Sequence, residues 1–411
     1  MDILKVRDAN DVEQAVRAAL ADEQPLEIVG HGTKRAVGHT VASNAVLDLA
    51  PLNAIVSYEP GELIVTVEAG APLADVAALL ESKNQEFAFE PMDTAALLGT
   101  APGRGTIGGM IAAGFAGPRR VKAGGARDHL LGALAVSGFG DTFKAGGKVV
   151  KNVTGYDLCK LLAGSWGTLA VMVEATLKVL PKAEDEITLA LGGLDDEVAG
   201  RAMTTALGSP FDVSGAAHVP KAALGGELAA LGHGDAVTLL RLEGITASVA
   251  HRAGTLEALL ASFGRATRLD ADTSRAAWAW LRDVRAFAAD GPHGARVVWR
   301  IVCPPAAGGA LGALLAHEHE ALVVYDWGGG LIWAALPERS DTAEQAAELR
   351  AQVEAAHGHA MLVRASEAAR AAIEVFHPQA EGVAALSRRI KTSFDPKHIL
   401  NRGRMAREGA S

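Results

Sequence analysis

The amino-acid sequence predicts an α+β protein that is divided into two domains. Its 411 residues exceed what one hydrophobic core usually supports. In the first half, glycine-rich loops alternate with short β-branched runs, and such runs are typical of buried strands. Beyond residue 182 these loops stop, and strand patterns alternate with alanine-rich helical patterns. Elements of this kind commonly form a sheet with helices packed on one face.

The first predicted elements are an amphipathic helix and a short strand. Apolar residues recur at helical spacing over 12–20, and we expect Asn10 to cap this helix with Glu13 three residues later. Ile28 and Val29 predict the strand. Similar patterns predict strands at 63–67 and 169–180, a helix at 73–80, and a hairpin of 133–136 with 142–144, so that the first domain ends near residue 181.

The first glycine-rich loop follows that strand and reads Gly-His-Gly-Thr-Lys-Arg at 30–35. Successive backbone N–H groups in such a loop form a concave anion site, to which Lys34 or Arg35 could add positive charge. A second loop, Pro-Gly-Arg-Gly-Thr-Ile-Gly-Gly at 102–109, precedes an apolar run. Each loop alone is a weak signal.

The second loop also matches a sequence pattern that is typical of the Rossmann fold. Gly103, Gly105 and Gly108 match the Gly-x-Gly-x-x-Gly sequence of dinucleotide-binding βαβ units, and Asp128 lies 20 residues past the last glycine. That pattern requires a strand directly before the first glycine. Residues 92–102 lack a strand pattern, so we do not expect a Rossmann fold. A tight turn against a ligand explains the glycines better.

The third segment is the most informative one and covers 151–168, from Lys-Asn-Val-Thr-Gly-Tyr-Asp to Gly-Ser-Trp-Gly-Thr. Its glycines mark positions where the backbone turns tightly or approaches a ligand, and Ser165 and Thr168 add hydroxyl groups. Taken alone, it could equally be a glycine-rich turn between two core strands. Three such loops in order within about 140 residues indicate a bound phosphorylated cofactor.

The order of these segments resembles the FAD-binding domain of the vanillyl-alcohol oxidase and para-cresol methylhydroxylase superfamily. Further motifs that carry the resemblance are Val-Glu-Ala-Gly at 67–70, Thr-Ile-Gly-Gly at 106–109 and Arg-Asp at 127–128. In the second half, the following motifs resemble the FAD-binding subunits of bacterial glycolate oxidases: Val-Trp-Arg at 298–300, Asp-Trp-Gly-Gly-Gly at 326–330, Val-Phe-His-Pro at 375–378 and the terminal segment 391–405. The resemblance covers nearly the whole chain.

This resemblance implies an FAD-binding domain at 1–183, a ferredoxin-like cap at 184–385, and a C-terminal segment, 386–411, that returns to the FAD domain. Thr33 stands where covalently flavinylated relatives place a histidine, so we expect FAD to bind without a covalent bond. Together, the loops and the resemblance give these candidate FAD-binding residues: Gly30, His31, Gly32, Thr33, Lys34, Pro102, Gly103, Gly105, Thr106, Gly108, Gly109, Asp128, Lys151, Gly155, Tyr156, Gly164, Ser165, Gly167, Thr168, Val173 and Asn401.

Composition argues against several classes of function. The net charge of −9 is spread along the chain without a basic run, so nucleic acid is a poor candidate partner. Apolar stretches are interrupted before the length of a membrane span, and the N-terminus lacks a secretion signal. We expect a cytoplasmic protein, with any association with the inner face of the membrane made through partners. Cys159 and Cys303 are expected to be reduced core residues, and two thiolates are too few for an iron–sulfur cluster.

The second half contains alternating strand and helix patterns without an evident internal repeat. The predicted strands are 187–191, 236–242, 296–302, 321–325, 331–336 and 360–363, and the predicted helices are 248–263, 275–287, 311–319 and 342–356. The His-Glu-His-Glu sequence at 317–320 could suggest a metal cluster. On a helix, residues two apart point to different faces, so a solvated helix end is the better interpretation.

Candidate catalytic residues are few. His359 precedes a predicted strand and could point into the cleft between cap and flavin, His377 precedes a proline, and Arg300 lies in one of the resembling motifs. Relatives that oxidise 2-hydroxy acids carry a His-rich metal element and a later Gly-Glu-His, and neither is evident here, so we expect no metal site. Trp166 stands where those relatives have Glu, and Arg402 stands where they have Pro.

The resemblance implies the FAD-binding subunit of a glycolate oxidase. Such a subunit would oxidise glycolate or a similar short 2-hydroxy acid to the 2-oxo acid and pass electrons to a second flavin subunit and an iron–sulfur subunit. Two alternatives stay open: a self-sufficient FAD-dependent 2-hydroxy-acid dehydrogenase, and a non-catalytic flavin-binding relay or scaffold. The missing metal element favours the relay. The sequence leaves the particular hydroxy acid, the final electron acceptor and the stoichiometry undetermined.

Overall fold

A computed structural model describes residues 2–41, 43–148, 155–226, 228–231 and 234–407. Within these residues the chain forms an N-terminal domain with three small sheets, a cap domain built on one large sheet, and a C-terminal segment that packs back against the first domain. The predicted FAD-binding residue Lys151 lies outside the described residues.

The N-terminal domain combines parallel and antiparallel sheets. Its strands are β1 (Asp2–Lys5), β2 (Leu26–Val29), β3 (Ala45–Asp48), β4 (Ile55–Glu59), β5 (Ile64–Glu68), β6 (Gln85–Glu86), β7 (Leu130–Ser137), β8 (Thr142–Gly146), β9 (Ala170–Lys178) and β10 (Leu180–Pro181). Its helices are α1 (Ala9–Ala21), α2 (Leu73–Glu81), α3 (Ala95–Leu98), α4 (Ile107–Ala113), α5 (Arg120–Ala123), α6 (Ala126–His129) and α7 (Leu158–Leu162). Strands β1-β3-β2 are parallel, β4-β5-β9-β7-β8 are antiparallel, and β6 pairs with β10. The predicted hairpin is confirmed as β7 with β8.

The N-cap residue of helix α1 differs from the predicted one. The Asp8 carboxylate, and not Asn10, accepts a hydrogen bond from the Asp11 backbone N–H at 2.8 Å. An N-cap residue needs extended backbone, which Asp8 has at φ −158°, whereas Asn10 already lies inside the helix. Glu13 instead accepts a hydrogen bond from the backbone N–H of Thr142 at 3.2 Å, which ties α1 to the hairpin.

The cap domain contains a repeat that is not evident in the sequence. Its strands are β11 (Asp185–Gly192), β12 (Val213–Val219), β13 (Val237–Gly244), β14 (Thr267–Leu269), β15 (Val297–Val302), β16 (Leu322–Asp326), β17 (Leu331–Leu336) and β18 (His359–Arg364). Its helices are α8 (Asp196–Leu207), α9 (Leu228–Leu231), α10 (Thr246–Leu259), α11 (Ala271–Arg282), α12 (Pro305–His319), α13 (Thr342–Ala355) and α14 (Glu367–Ala372). The antiparallel sheet has the order β14-β11-β13-β12-β16-β17-β15-β18. Each half repeats the βαββαβ order of a ferredoxin-like unit, and the halves join where β12 meets β16.

The sequence pattern does not reveal two of these strands. Strand β12 reads Val-Ser-Gly-Ala-Ala-His-Val, and glycine, alanine and serine have little intrinsic strand preference. Every residue of β12 is nevertheless buried, because the strand lies between β13 and β16 in the middle of the sheet. Strand β14 has three residues at the sheet edge, too few for an alternating pattern. Tertiary packing therefore determines both strands.

The C-terminal segment packs against the N-terminal domain. Helix α15 (Glu381–Phe394) leads into this segment, and Leu400 then forms a parallel bridge with Leu26 of β2. The fully buried Asp395 carboxylate holds the turn between them, because it accepts hydrogen bonds from the Ile399 backbone N–H at 3.0 Å and from Lys391 Nζ at 2.5 Å.

The two domains are joined by a network of charged residues. Glu90 of the N-terminal domain accepts hydrogen bonds from both terminal nitrogens of Arg241 on β13, each at 2.7 Å. Arg119 of the N-terminal domain contacts Glu243 of the cap at 2.5 Å and Glu86 of its own domain at 2.7 Å. Each guanidinium thus has carboxylate partners from within the network, which fixes the domains to each other.

Three expectations from composition and local sequence can be compared with the structure. Cys159 and Cys303 are free and buried, as expected, and burial raises the pKa of each thiol to about 11. His317 is exposed and His319 is buried, so the two histidines lie on different faces of α12. Among the helices that the structure describes, none combines the length and the apolar character needed to span a bilayer.

Candidate functional site

A cleft in the N-terminal domain brings the glycine-rich segments together. It is formed by the loop after β2, the start of α4, the loop after α7 and the C-terminal segment. It contains about 870 Å³ of space between protein atoms, open solvent included.

The first loop of the cleft requires small residues. A Cβ atom at Gly30 would lie 2.6 Å from the Thr106 side-chain oxygen, and Gly32 has a left-handed φ of +71°. His31 is held by a 2.9 Å hydrogen bond between Nδ1 and the Arg104 carbonyl. The first and second glycine-rich loops are therefore fixed against each other, and their close approach leaves no room for a side chain at residue 30.

The start of α4 forms the second wall. Thr106 caps this helix by accepting a hydrogen bond from the Gly109 N–H at 3.2 Å. The Gly108 N–H donates to the Ala69 carbonyl at 2.7 Å, and a Cβ at Gly108 would lie 2.8 Å from the Ala69 side chain. Gly108 therefore permits close packing of α4 on the residue after β5, and its N–H is already bonded.

The loop after α7 forms the third wall, and Asn401 ties it to the first. The Asn401 side chain accepts a hydrogen bond from the Ile28 N–H at 2.8 Å and donates one to the Trp166 carbonyl at 2.7 Å. Trp166 has a left-handed φ of +54°, and a Cβ at Gly167 would lie 2.8 Å from the Asn401 amide nitrogen. The Ser165 hydroxyl donates to the Leu162 carbonyl at 2.8 Å, so it stabilises this loop internally.

The charged residues of the cleft differ in their partners. Arg35 and Arg404 both form ion pairs with the buried Glu27 carboxylate; the Arg404 pair measures 3.1 Å. Lys34 has no ion pair or side-chain hydrogen bond with any residue that the structure describes. Burial lowers the pKa of Lys34 to about 8, although the charge of Asp93 acts in the opposite direction.

Aromatic side chains connect the cleft wall with the cap sheet. The Trp166 ring lies on the cleft wall and packs edge-on against Phe115 and Phe376, with centroids 5.8 Å and 5.9 Å away. Phe115 in turn packs against Trp333 of β17 at 6.4 Å. A continuous set of ring contacts therefore runs from the cleft wall to the cap sheet.

Eleven of the predicted FAD-binding residues line the cleft: Gly30, His31, Gly32, Thr33, Lys34, Thr106, Gly108, Gly109, Ser165, Gly167 and Asn401. Nine others do not line it: Pro102, Gly103, Gly105, Asp128, Gly155, Tyr156, Gly164, Thr168 and Val173.

Local contacts explain several of the residues that lie away from the cleft. The Gly103 N–H donates to the Asp93 carboxylate at 3.0 Å, and the Asp128 carboxylate accepts from the Gly125 N–H at 2.9 Å. Tyr156 is 94% exposed, whereas Val173 is part of the hydrophobic core beneath β2.

Sequence reasoning missed other residues of the cleft wall. Arg404 belongs to the Asn-Arg-Gly-Arg sequence of the returning segment, which offered a signal for a cation at this place. Trp166 is part of the third loop but is absent from the predicted set. The apolar Leu49 and Met172 carry no signal that distinguishes them from core residues.

The catalytic candidates lie outside the cleft. His359 and His377 pack with ring centroids 6.2 Å apart, and His377 Nδ1 accepts a hydrogen bond from the Ala360 N–H at 3.2 Å. Arg300 lies over the rings of Phe115 and Trp327, 5.8 Å and 5.1 Å from their centroids. None of the three lines the cleft.

Known protein families match the sequence in both halves of the chain. Residues 3–146 match the family model of the FAD binding domain, and residues 215–405 match that of the C-terminal domain of FAD linked oxidases. Two solved structures share the fold. They are 4-ethylphenol oxidase from Gulosibacter chungangensis, with TM-score 0.72, 14% identity and coverage of 99% of this chain and 89% of the other, and alkyldihydroxyacetonephosphate synthase, with TM-score 0.68, 15% identity and coverage of 97% and 76%.

Relatives with known names extend the similarity to the level of sequence. The chain is 30% identical to glycolate oxidase subunit GlcE of Escherichia coli K12 over 399 residues, which is 96% of each protein. It is 31% identical to glycolate oxidase subunit GlcD of Bacillus subtilis over 188 residues, 46% of this chain and 38% of the relative. It is 34% identical to D-2-hydroxyglutarate dehydrogenase of Xanthomonas citri over 190 residues, 45% and 38% respectively. The chain therefore belongs to the family of FAD-linked oxidoreductases that includes glycolate oxidase subunit GlcE.

Proposed function

We propose that this chain is the FAD-binding subunit of a glycolate oxidase complex that oxidises glycolate, or a similar short 2-hydroxy acid, to the 2-oxo acid. The observation that carries the proposal is the cleft in which three glycine-rich segments and Asn401 meet. Similarity to GlcE along 96% of both chains supports the assignment to this complex.

The cleft fits a flavin dinucleotide in two respects. A Cβ atom at Gly30 would collide with Thr106 and one at Gly167 with Asn401, so these glycines let the segments that form the cleft pack closely on one another. Its Lys34 cation has no partner among the described residues, which suits an anionic ligand. The residues that line the cleft would hold FAD without a covalent bond, because Thr33 cannot form a histidyl linkage. When bound, FAD would accept a hydride from the substrate carbon.

Electrons would then have to leave the chain. Two cysteines cannot hold an iron–sulfur cluster. We therefore propose a second flavin subunit and an iron–sulfur subunit as partners, with location in the cytoplasm or, through these partners, at the inner face of the membrane.

One observation favours a narrower role, in which this subunit relays electrons and a partner oxidises the acid. Trp166 lines the cleft and packs against Phe115 and Phe376. The candidate bases His359 and His377 lie outside the cleft, and burial lowers the pKa of each. Neither group is therefore in a position to remove a proton from a molecule bound in the cleft.

The test is reduction of the purified, FAD-loaded chain by glycolate under anaerobic stopped-flow conditions. We expect little or no reduction of the isolated chain. Co-expression with a second flavin subunit and a cysteine-rich subunit should give a complex that co-purifies and oxidises glycolate with an artificial acceptor.

Three outcomes separate the alternatives. Rapid reduction of the isolated chain would favour a self-sufficient dehydrogenase. If FAD is removed from this chain alone and the complex still oxidises glycolate, this chain is a scaffold. A chain that never binds FAD would overturn the proposal.

A further inference from the structure

Helix α15 has an apolar face that the described residues leave largely uncovered. Val383, Leu386, Ile390 and Phe394 recur at spacings of three and four residues, so they lie on one side of the helix. None of the helix's 14 residues is buried, and Val383 and Leu386 are 53% and 51% exposed. An amphipathic helix in a folded protein is stabilised mainly by burial of its apolar face. The face of α15 therefore lacks contacts that a helix with this pattern usually makes.

The C-terminal end of α15 is fixed to the wall of the cleft. Lys391 Nζ donates hydrogen bonds to the Thr168 carbonyl at 2.6 Å and to the Leu400 carbonyl at 3.1 Å. Thr168 follows Gly167 in the sequence, and Leu400 precedes Asn401; Gly167 and Asn401 both line the cleft. A protein that binds α15 would therefore be connected to the cleft wall through one lysine side chain.

The exposed apolar surface extends from the helix to the turn of the β7–β8 hairpin. The Gly138 N–H donates to the Phe394 carbonyl at 2.8 Å, and the rings of Phe394 and Phe143 pack with centroids 6.0 Å apart. Phe139, in the same turn, is 45% exposed. Specific protein–protein interfaces bury about 800 Å² on each partner, so an occupant has to contact the turn as well as the helix.

Two arginines give this surface a positive charge. Arg389 lies one turn after Leu386 on the same side of α15, and Arg388 precedes it. Both are exposed, and neither forms an ion pair with a described residue, although the chain as a whole carries a net charge of −9. Two copies of this surface packed about a twofold axis would place these like charges in one interface. A second copy of the chain is therefore a poor occupant, whereas a protein surface that carries carboxylates is complementary.

We propose that the surface formed by Val383, Leu386, Arg389 and Phe139 is the docking site for the partner protein that accepts electrons from this chain, and that the partner contributes apolar residues and at least one carboxylate. The inference rests on the proposed function, because it takes the occupant to be the electron-accepting partner. A position beside the cleft wall suits a partner that takes electrons from a bound flavin. An anionic membrane is a poorer occupant, because stable membrane binding needs a larger buried apolar area.

The experiment measures binding of the purified, FAD-loaded chain to a co-purified pair of second flavin subunit and cysteine-rich subunit, by biolayer interferometry. Leu386→Glu places a charge in the apolar part of the interface and should weaken binding at least about tenfold. Arg389→Glu should weaken it by a similar factor. The affinity of the parent should fall as salt is raised from about 50 to about 500 mM, and Arg389→Glu should lose this dependence. Arg389→Lys should retain most of the affinity at low salt.

The matched control is Leu314→Glu, which changes an exposed leucine on α12 of the cap domain. This variant should bind the partners as the parent does. Leu314, Leu386 and Arg389 do not line the cleft, so all the variants should keep the FAD content and the melting temperature of the parent. These two measurements separate a loss of docking from a loss of folding.

Each remaining outcome has a defined meaning. Equal affinity of Leu386→Glu and the parent would overturn the inference and leave the complex, and with it the proposed function, intact. The inference would also be overturned if Leu386→Glu converts a dimer of the isolated chain into a monomer in sedimentation, because a second copy then occupies the surface. Loss of flotation with vesicles of phosphatidylglycerol and phosphatidylcholine in Leu386→Glu would assign the surface to a membrane instead. Absence of any complex with the parent chain would overturn the proposed function and this inference together.

Discussion

Arg241 of the cap and Glu90 of the N-terminal domain form a two-point ion pair across the domain interface, with both N···O distances at 2.7 Å. The Arg241 side chain is 1% exposed, and its guanidinium carbon lies 4.5 Å from the Trp278 ring centroid. Burial alone would raise the pKa of Glu90, but the positive charges of Arg241 and Arg119 outweigh it and lower the pKa to about 2. The pair is therefore ionised at neutral pH and links residues 151 positions apart in sequence.

Replacing Glu90 should weaken the association of the two domains. Glu90→Gln leaves the buried Arg241 without its two-point partner, and the loss of one member of a buried pair commonly costs about 3–5 kcal/mol. Urea unfolding at pH 7, followed by tryptophan fluorescence, measures this loss. The depressed pKa of Glu90 places its stabilising contribution above about pH 4.5 and removes it as the pH falls toward 2, so the difference between variant and parent should shrink in acid.

The matched control for that variant is Glu257→Gln, which breaks the exposed pair of Glu257 with Arg268. Exposed pairs contribute less than about 1 kcal/mol, so this change should be small. If both substitutions lower the free energy of unfolding equally, the larger contribution that we assign to Glu90 is contradicted.

A second buried carboxyl should make stability depend on pH in the opposite direction. Asp326 accepts the Trp327 N–H at 2.7 Å at the end of β16, and burial raises its pKa to about 7. The folded chain therefore binds this proton more tightly than the unfolded chain, in which the pKa is about 4. The stabilising contribution is complete below about pH 4 and is lost as the pH rises through 7.

Asp326→Asn should remove that dependence. The variant keeps the acceptor oxygen for Trp327 but cannot ionise, so its stability relative to the parent should increase between pH 5 and pH 8, by about 1.4 kcal/mol for each pKa unit of the original shift. Urea unfolding at four pH values measures the difference. Asp341→Asn on the surface is the control, and parallel stability curves for Asp326→Asn and the parent would refute the prediction.

The features predictable from sequence are those with a local cause. Gly30 and Gly167 are recognisable because a residue without Cβ beside a strand indicates a close approach, and both indeed lie where a side chain would collide. Local patterns also identify most cap strands. They do not reveal β12, whose Gly215 and Ala216 become strand residues only because the neighbouring strands bury them.

The features that escaped prediction depend on distant parts of the chain. Lys34 and Arg35 are equivalent in sequence, and only the position of Glu27 makes Arg35 a structural residue and leaves Lys34 unpaired. Asp128 satisfied the spacing of a nucleotide-binding motif, yet its carboxylate bonds the backbone three residues away. The spacing of residues in the sequence identifies candidate residues. Their roles depend on which other residues they contact in the folded chain.

The bond between FAD and the chain can be tested without any variant. Thr33 occupies the place of the histidine in covalently flavinylated relatives, and we expect no covalent attachment through the first loop. Acid precipitation of the yellow protein should leave all flavin absorbance in the supernatant. Flavin that stays with the pellet, or a fluorescent band after denaturing electrophoresis, would disprove this.

The last prediction compares Gly30 and Gly105, which the sequence predicts equally as FAD-binding residues. A Cβ at Gly30 would lie 2.6 Å from the Thr106 side-chain oxygen, which caps α4 through the Gly109 N–H, whereas a Cβ at Gly105 would have no neighbour within 4 Å. Gly30→Ala should therefore displace Thr106 and weaken FAD binding at least about tenfold, or about 1.4 kcal/mol. Gly105→Ala should retain the affinity of the parent, because residue 105 does not line the cleft. Equilibrium titration of both folded variants with FAD measures the contrast, and a larger loss in Gly105→Ala would show that the second loop, and not the contact of Gly30 with Thr106, holds the cofactor.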